Sequence, residues 1–283
     1  MKKTENEKQL ILAEEGNARA QVNIGMCYMN GFGAEQDYKK AVYWFEKAAA
    51  QGNVRAQTNL GICYEKGLGV EKNLKKAIEL YTKAAQQGSA QAQSNLGFCY
   101  YNGVGVEKDY EKAVQWLEKA AEQDNARAQS NLGVCYGFGL GVEKNAEKAA
   151  YWYTRAAKQG FAGAQCNLGF CYEMGNGLDK NVAKAVEWYS KAAKQGNARA
   201  QFNLGMCYFN GTGTAKDEKK AAMLFEQAGS QGNAGALLNL GGCYANGLGV
   251  EKDLEKAKAC YEKAAAAGNA QAKAALKSLA EQA

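Results

Sequence analysis

The feature that most constrains this chain is a period of 36 residues, marked by Cys27, Cys63, Cys99, Cys135, Cys171, Cys207 and Cys243. Around each cysteine the same words return, as in Ala90-Gln-Ala-Gln-Ser-Asn-Leu-Gly-Phe-Cys-Tyr100 and Ala198-Arg-Ala-Gln-Phe-Asn-Leu-Gly-Met-Cys-Tyr208. A fixed period in this range is the signature of a solenoid, in which each unit buries its apolar face only against its neighbours. The repeat therefore overrides the two-domain prior that 283 residues would suggest.

Each unit reads as two helices. The first opens on a capping residue, namely Asn17, Asn53, Ser89, Asn125, Asn197, Asn233 and, after the last full unit, Asn269. A short polar side chain there accepts an orphan backbone N–H. The helix ends at a Gly-x-Gly turn such as Gly67-Leu-Gly69, because glycine takes the left-handed backbone that stops a helix. The second helix opens on Asp37, Asn73, Asp109, Asn145, Asn181, Asp217 and Asp253, and stops at glycines such as Gly52 and Gly88. Asp124 stands in place of a stop glycine and Phe161 in place of a cap, which predicts bent or looser junctions there. No proline interrupts any helix.

The predicted organisation is a capping helix over 1–16 and seven repeats over 17–52, 53–88, 89–124, 125–160, 161–196, 197–232 and 233–268. A final capping helix follows over 269–283, with a polar face from Lys273, Lys277 and Glu281. Such short helix pairs are unstable alone, so stacking must hold them. In the first helix Gln93, Leu96, Gly97 and Tyr100 form one stripe, and Gly97 predicts close approach of another backbone. In the second helix Trp44, Trp116, Trp152 and Trp188 share one site, which predicts core rather than a ligand box.

Lys and Glu alternate, so the net charge of +6 is diffuse and does not suit nucleic acid, which wants a basic stripe. No apolar run reaches the ~18 residues of a membrane span. Leu10-Ile-Leu-Ala13 is too short for a signal segment, so a cytoplasmic location is expected. Seven of the nine cysteines fall at one equivalent site. Equivalent positions in stacked helices lie roughly 8–10 Å apart, beyond the ~7 Å reach of a disulfide. They are expected to be reduced, small, buried hydrophobes, as in a reducing compartment.

The full unit, Ala-x-Ala-Gln-x-Asn-Leu-Gly-x-Cys-Tyr-x-x-Gly-x-Gly-Val-Glu-Lys-Asp-x-x-Lys-Ala-x-x-Trp-Tyr-x-Lys-Ala-Ala-x-Gln-Gly-Asn, closely resembles the Sel1-like repeat, a cousin of the tetratricopeptide repeat. The resemblance covers about 17–283. It implies an all-α, right-handed superhelical solenoid whose first helices line the concave face. It also implies an adaptor that holds peptides or partner proteins in signalling, protein quality control or bacterium–host contact. A cysteine-rich branch of the family has disulfide-bridged helix pairs, is exported and is linked to binding of penicillins and cell-wall fragments. This chain lacks that branch's paired cysteines, apart from Cys243 and Cys260 in one unit. A ligand-binding protein or hydrolase of that kind is the alternative, as is an idealised scaffold with no specific partner.

Sites that vary between repeats are those that stacking leaves free. Four such first-helix sites, spaced i, i+3, i+7 and i+10, form one stripe that is apolar for a solvated face. It carries Arg55, Arg127 and Arg199 at its first site, Phe202 at its second, Phe98, Phe170 and Met206 at its third, and Tyr101 and Phe209 at its fourth, with Met174 beside it. Along its edge runs an unvarying ladder of Asn23, Asn59, Asn95, Asn131, Asn167, Asn203 and Asn239. Asparagine is a poor helix-interior residue. Its amide could hold a peptide backbone, or it could fix the stacking of neighbouring helices. The stripe leans basic, so a ligand with apolar anchors and acidic character is expected, densest near repeats 5 and 6. The chain is expected to act as a monomer, without cofactor or metal. It has no histidine and no CxxC, which removes the usual nucleophile pairs and metal sets. Cys166 is the one candidate for an exposed thiol; a small buried filler is the other reading.

Overall fold

A computed structural model of the protein describes residues 5–280, so Glu281 of the final capping helix lies outside it. Among the described residues there are sixteen α-helices and no strand. They group into two compact units divided between Lys144 and Asn145.

The first unit holds α1 (Glu5–Glu14), α2 (Ala18–Asn30), α3 (Tyr38–Ala50), α4 (Val54–Lys66), α5 (Leu74–Gln86), α6 (Ala90–Asn102), α7 (Tyr110–Glu122) and α8 (Ala126–Phe138). The second holds α9 (Ala146–Lys158), α10 (Ala162–Met174), α11 (Val182–Lys194), α12 (Ala198–Asn210), α13 (Glu218–Ser230), α14 (Ala234–Asn246), α15 (Leu254–Ala266) and α16 (Ala270–Ala280). In both, the two helices of a repeat pack together, and the second helix packs on the first helix of the next repeat. This is the all-α helix-pair solenoid that the period predicts.

The caps explain the boundaries. Asn53 Oδ1 accepts from the Ala56 N–H at 3.0 Å, and Asn73 Oδ1 from the Lys76 N–H at 3.0 Å. Gly67 stops α4 at φ 73°, its N–H donating to the Cys63 carbonyl. The second glycine of that turn has a separate reason. Gly69 also has positive φ, and its Cα lies against the Tyr38 carbonyl of the preceding repeat, where a Cβ would collide. The turn is thus a stacking surface as well as a stop.

The junctions at Asp124 and Phe161 are not looser. Asp124 itself takes the left-handed backbone, at φ 61°, as a short polar side chain tolerates. The Asn125 N–H still reaches the Ala120 carbonyl at 3.1 Å, as Asn53 reaches Ala48 at 3.1 Å. Phe161 keeps the cap backbone, φ −68° and ψ 109°, without a side-chain bond.

The glycine inside the first helix meets the second helix of its own repeat, chiefly through a large side chain and, at Gly97 and Gly169, also through the Ala113 and Ala185 backbone carbonyls, 3.2 Å from where a Cβ would lie. A Cβ on Gly61 would lie 2.6 Å from Tyr81 Cε1, and one on Gly97 would lie 2.7 Å from Leu117 Cγ. The large side chain of the second helix is therefore seated on the glycine of its own repeat. Tyr81, Tyr189, Phe45 and Phe225 are fully buried this way, while Trp116, Trp152 and Trp188 are only half-buried.

A glutamine pair ties the two halves of a repeat together, and one member reaches the repeat before. Gln93 is buried; its Nε2 donates to the Ala85 carbonyl of the preceding repeat at 3.1 Å, and its Oε1 accepts from Gln123 Nε2 at 2.8 Å. The same side-chain bond joins Gln51 to Gln21, Gln87 to Gln57, Gln195 to Gln165 and Gln231 to Gln201. In the last repeat both partners are apolar, Leu237 and Ala267.

Candidate interaction surface

The first-helix stripe is not uniform. Its second site is largely buried: Val22, Thr58, Ser94, Ser130 and Cys166 all lie in the stack. Cys166 is therefore a packing residue, and burial pushes its thiol up to about 11. Phe202 and Phe209 are half-buried, with ring centroids 6.1 Å and 6.2 Å from Phe225, and Met206 packs with them. These three residues share their contact area with the core. Tyr101 is half-buried, edge-on to Tyr110 at 5.3 Å.

Two stations on the stripe are open. In the first unit the Arg127 guanidinium lies 5.9 Å from the centroid of the Phe98 ring and donates to Asn95 Oδ1. In the second unit Arg199 lies 5.8 Å from the Phe170 ring and donates to Asn167 Oδ1 at 3.2 Å. Each arginine comes from the next repeat and spans the seam between two first helices. Phe98 and Phe170 remain 38 % and 37 % exposed, so each ring keeps a free face, and Met174 is exposed beside the second. Arg55 is also exposed.

The asparagines divide among several partners. Asn23 Nδ2 donates to Gln9 Oε1 at 3.3 Å, Asn59 Nδ2 to Met26 Sδ at 3.3 Å, and Asn239 Nδ2 to the Gly235 carbonyl of its own helix at 2.8 Å. Asn95 Oδ1 accepts from both Gln91, at 3.0 Å, and Arg127. Its Nδ2 is buried and has no hydrogen-bond partner, which is a costly state for a donor. Asn131 and Asn203 are half-buried.

Arg127 feels two opposing influences. Burial, the larger, pulls its pKa down, and the Glu65 carboxylate pushes it up. Glu65 is itself engaged: the Tyr81 hydroxyl donates to its Oε2 at 2.5 Å, and Tyr189 donates to Glu173 Oε2 at 2.6 Å. Burial first, then the bonded carboxylate, raise the pKa of both tyrosines. Both glutamates stand at the fourth site of the stripe, where the sequence shows the residue but not its partner. The sequence carries only a partial signal, because Glu65 and Glu173 accompany tyrosine and Met29 and Phe209 accompany Phe45 and Phe225, yet Tyr153 and Tyr261 are matched with Gly137 and Ala245.

All nine cysteines are free, Cys243 and Cys260 included. Among the described residues no cluster of three or more acidic or cysteine side chains could hold a metal, and no helix is long and apolar enough to cross a membrane.

The Sel1 repeat model matches seven times, over 18–53, 54–89, 90–125, 126–161, 162–197, 198–233 and 234–269. Each boundary falls one residue after the one read from the period. The chain is similar to the crystal structure of a protective antigen of uropathogenic Escherichia coli that displays an SLR fold, with 36% identity and a TM-score of 0.82. That match covers 98% of this chain but 59% of the antigen, so the chain spans well under two thirds of its length. It is also similar to a Sel1 repeat protein from Oxalobacter formigenes, with 40% identity, a TM-score of 0.74, and coverage of 94% of this chain and 77% of that one. No curated protein matches the chain.

Proposed function

This chain belongs to the Sel1 repeat family, generally protein–protein interaction scaffolds, and on that premise we propose that it is a non-catalytic adaptor. It holds an extended peptide or partner segment against the first-helix groove. The observation that carries the reading is the pair of arginine–phenylalanine–asparagine stations, Arg127/Phe98/Asn95 and Arg199/Phe170/Asn167.

Each station supplies a guanidinium pre-set by its ring, able to take a carboxylate in bidentate fashion. Each supplies an exposed aromatic face for an apolar anchor. At the first, the unpaired Asn95 N–H would gain an acceptor from a ligand carbonyl once Arg127 turns toward the ligand. The segment sought is therefore acidic with apolar anchors. The absence of histidine from the sequence argues against a catalytic role. The free thiols support a reducing, cytoplasmic location and a monomer without disulfide cross-links.

Panning a displayed random-peptide library on the full chain tests the reading. Enrichment of Asp/Glu next to Phe, Leu or Trp, lost when the target carries both Arg127→Ala and Arg199→Ala, is the expected result. Peptides without acidic residues, or peptides retained by the double variant, would overturn it.

A further inference from the structure

A second site lies away from the stripe, among α13, α14 and α15. In the first repeat Trp44 sits over the seam of α1 and α2, in a nest that includes Leu10, Ala13, Ile24 and Tyr28. Trp116 likewise packs against the α5 and α6 cluster through its own repeat's α7. Six repeats after Trp44 the corresponding residue is Cys260, and the four nest positions are Glu226, Gly229, Leu240 and Tyr244. The nest is still built, but its ring is missing. A cleft of about 640 Å³ stands there, lined by those four residues and by Cys260 and Leu237. One repeat earlier, where the position is Leu224, the equivalent cleft is about 460 Å³. The space grows as the residue shrinks from leucine to cysteine.

Three further substitutions make this cleft apolar. Leu237 and Ala267 replace the glutamine pair, and Gly229 replaces the alanine found at Ala13, making room for the Leu237 side chain, whose Cδ2 would lie 2.9 Å from a Cβ there. The cation that accompanies the ring in other repeats is retained. Lys47, Lys119 and Lys191 lie 5.4, 4.5 and 4.1 Å from the Trp44, Trp116 and Trp188 rings. Lys263 occupies their position beside the cleft, with no ring of its own beneath it. A cation over an indole is the most favourable of the cation–π pairs. Glu226 on the rim gives an indole N–H an acceptor, which phenylalanine could not use. Lys256 is tied to Asp253 at 3.3 Å, so the rim is close to neutral and selects for the ring rather than for charge.

We propose that this cleft binds a tryptophan side chain presented by a partner protein, seated where the repeat lacks its own. A second copy of this chain does not fit the role, because its four tryptophans occupy their own nests, buried or half-buried. The site rests on the second-helix face and does not depend on the first-helix stations.

The test uses the full chain and the capped pentapeptide Gly-Ser-Trp-Ser-Gly, with forms carrying Ala or Phe in place of Trp, and with free indole. Binding is read by anisotropy of the labelled peptide and by the rate at which iodoacetamide alkylates Cys260, with half-exposed Cys27 as the internal control. The Trp peptide should bind, slow alkylation of Cys260 but not of Cys27, and outcompete the Phe form; the Ala form should not bind. Cys260→Trp should fill the nest, abolish peptide binding and raise the melting temperature. Lys263→Ala, at an exposed site, should weaken the Trp peptide by about threefold, and it decides the matter if Cys260→Trp fails to fold. Binding of indole alone, with the peptide excluded, would overturn the partner assignment in favour of a free aromatic molecule. No binding of the Trp peptide, equal binding of the Ala peptide, or unchanged binding by Cys260→Trp would overturn the site itself.

Discussion

Replacing Gln123 with Ala, Gln93 with Leu, and then both together, tests how the repeats are locked. Gln93 is 5% exposed and takes part in two bonds, to the Ala85 carbonyl at 3.1 Å and from Gln123 at 2.8 Å. A net hydrogen bond contributes about 1 kcal/mol, and an orphaned buried acceptor costs about 1–3 kcal/mol. Gln123→Ala removes one bond and strands Gln93 Oε1, so it should cost about 2–3 kcal/mol. Gln93→Leu removes both bonds but strands little. Ala85 keeps the Gly88 N–H at 3.0 Å, and Gln123 keeps the Lys119 carbonyl at 3.3 Å. That change should cost about 1–2 kcal/mol. The double variant recreates the Leu237 and Ala267 pair of the last repeat, strands nothing, and should also cost about 1–2 kcal/mol, a coupling of about 2 kcal/mol. Urea denaturation followed by circular dichroism and fitted to a nearest-neighbour repeat model supplies the numbers. Costs that simply add would refute the argument that the pair is a coupled lock.

Other parts of the structure make equally definite demands. Gly61→Leu should lower stability by about 3 kcal/mol, because even a Cβ would lie 2.6 Å from fully buried Tyr81; an unchanged melting curve would contradict the seating of the ring on the glycine. Phe161→Asn should restore the missing cap of α10 and raise stability by about 1 kcal/mol in the same melts; no gain would mean that the cap backbone alone suffices. Burial raises the thiols of Cys63, Cys135, Cys171, Cys207 and Cys243 from 9.0 to about 11, so the folded chain holds protons that the unfolded chain releases. Their stabilisation is complete below pH 9 and lost as pH rises to about 11, so the urea midpoint should begin to fall near pH 9, before the buried Tyr81 and Tyr189 hydroxyls add the same trend above about pH 10; a midpoint flat between those two values would mean that the thiols are exposed. Titration with a thiol reagent without reductant should count nine thiols in denaturant, with Cys27 and Cys260 reacting first in the native state; a lower total would reveal disulfides.

The helices were legible because each boundary has its own chemistry. Asn or Asp opens a helix, glycine closes it, and a period of 36 residues repeats the lesson seven times. What escaped were contacts between elements. Gln93 read as one more stripe residue because its partner Gln123 lies thirty residues away, just past the end of α7. Gly69 read as a turn residue, though its second role is set by Tyr38 in the preceding repeat. Asp124 read as a defect because a left-handed aspartate looks no different in sequence from a broken rule. The stripe mixed two faces: Ser94 and Thr58 vary as freely as Arg127 and Phe98, yet burial puts the first two inside the stack. Variation between repeats signals freedom from strict packing, but small residues can also vary inside a packed seam.

The central claim is that partner segments are held at the arginine–phenylalanine stations of the first-helix face. The most direct measurement is calorimetric titration of a library-selected peptide into the full chain, into Phe98→Ala and Phe170→Ala, and into a control, Lys75→Ala, on the exposed side of α5. The account predicts that at least one of the two phenylalanine variants loses about 2 kcal/mol of binding free energy, with melting temperature kept and with Lys75→Ala unchanged. Equal affinity for all four proteins would place the ligand elsewhere and contradict the account.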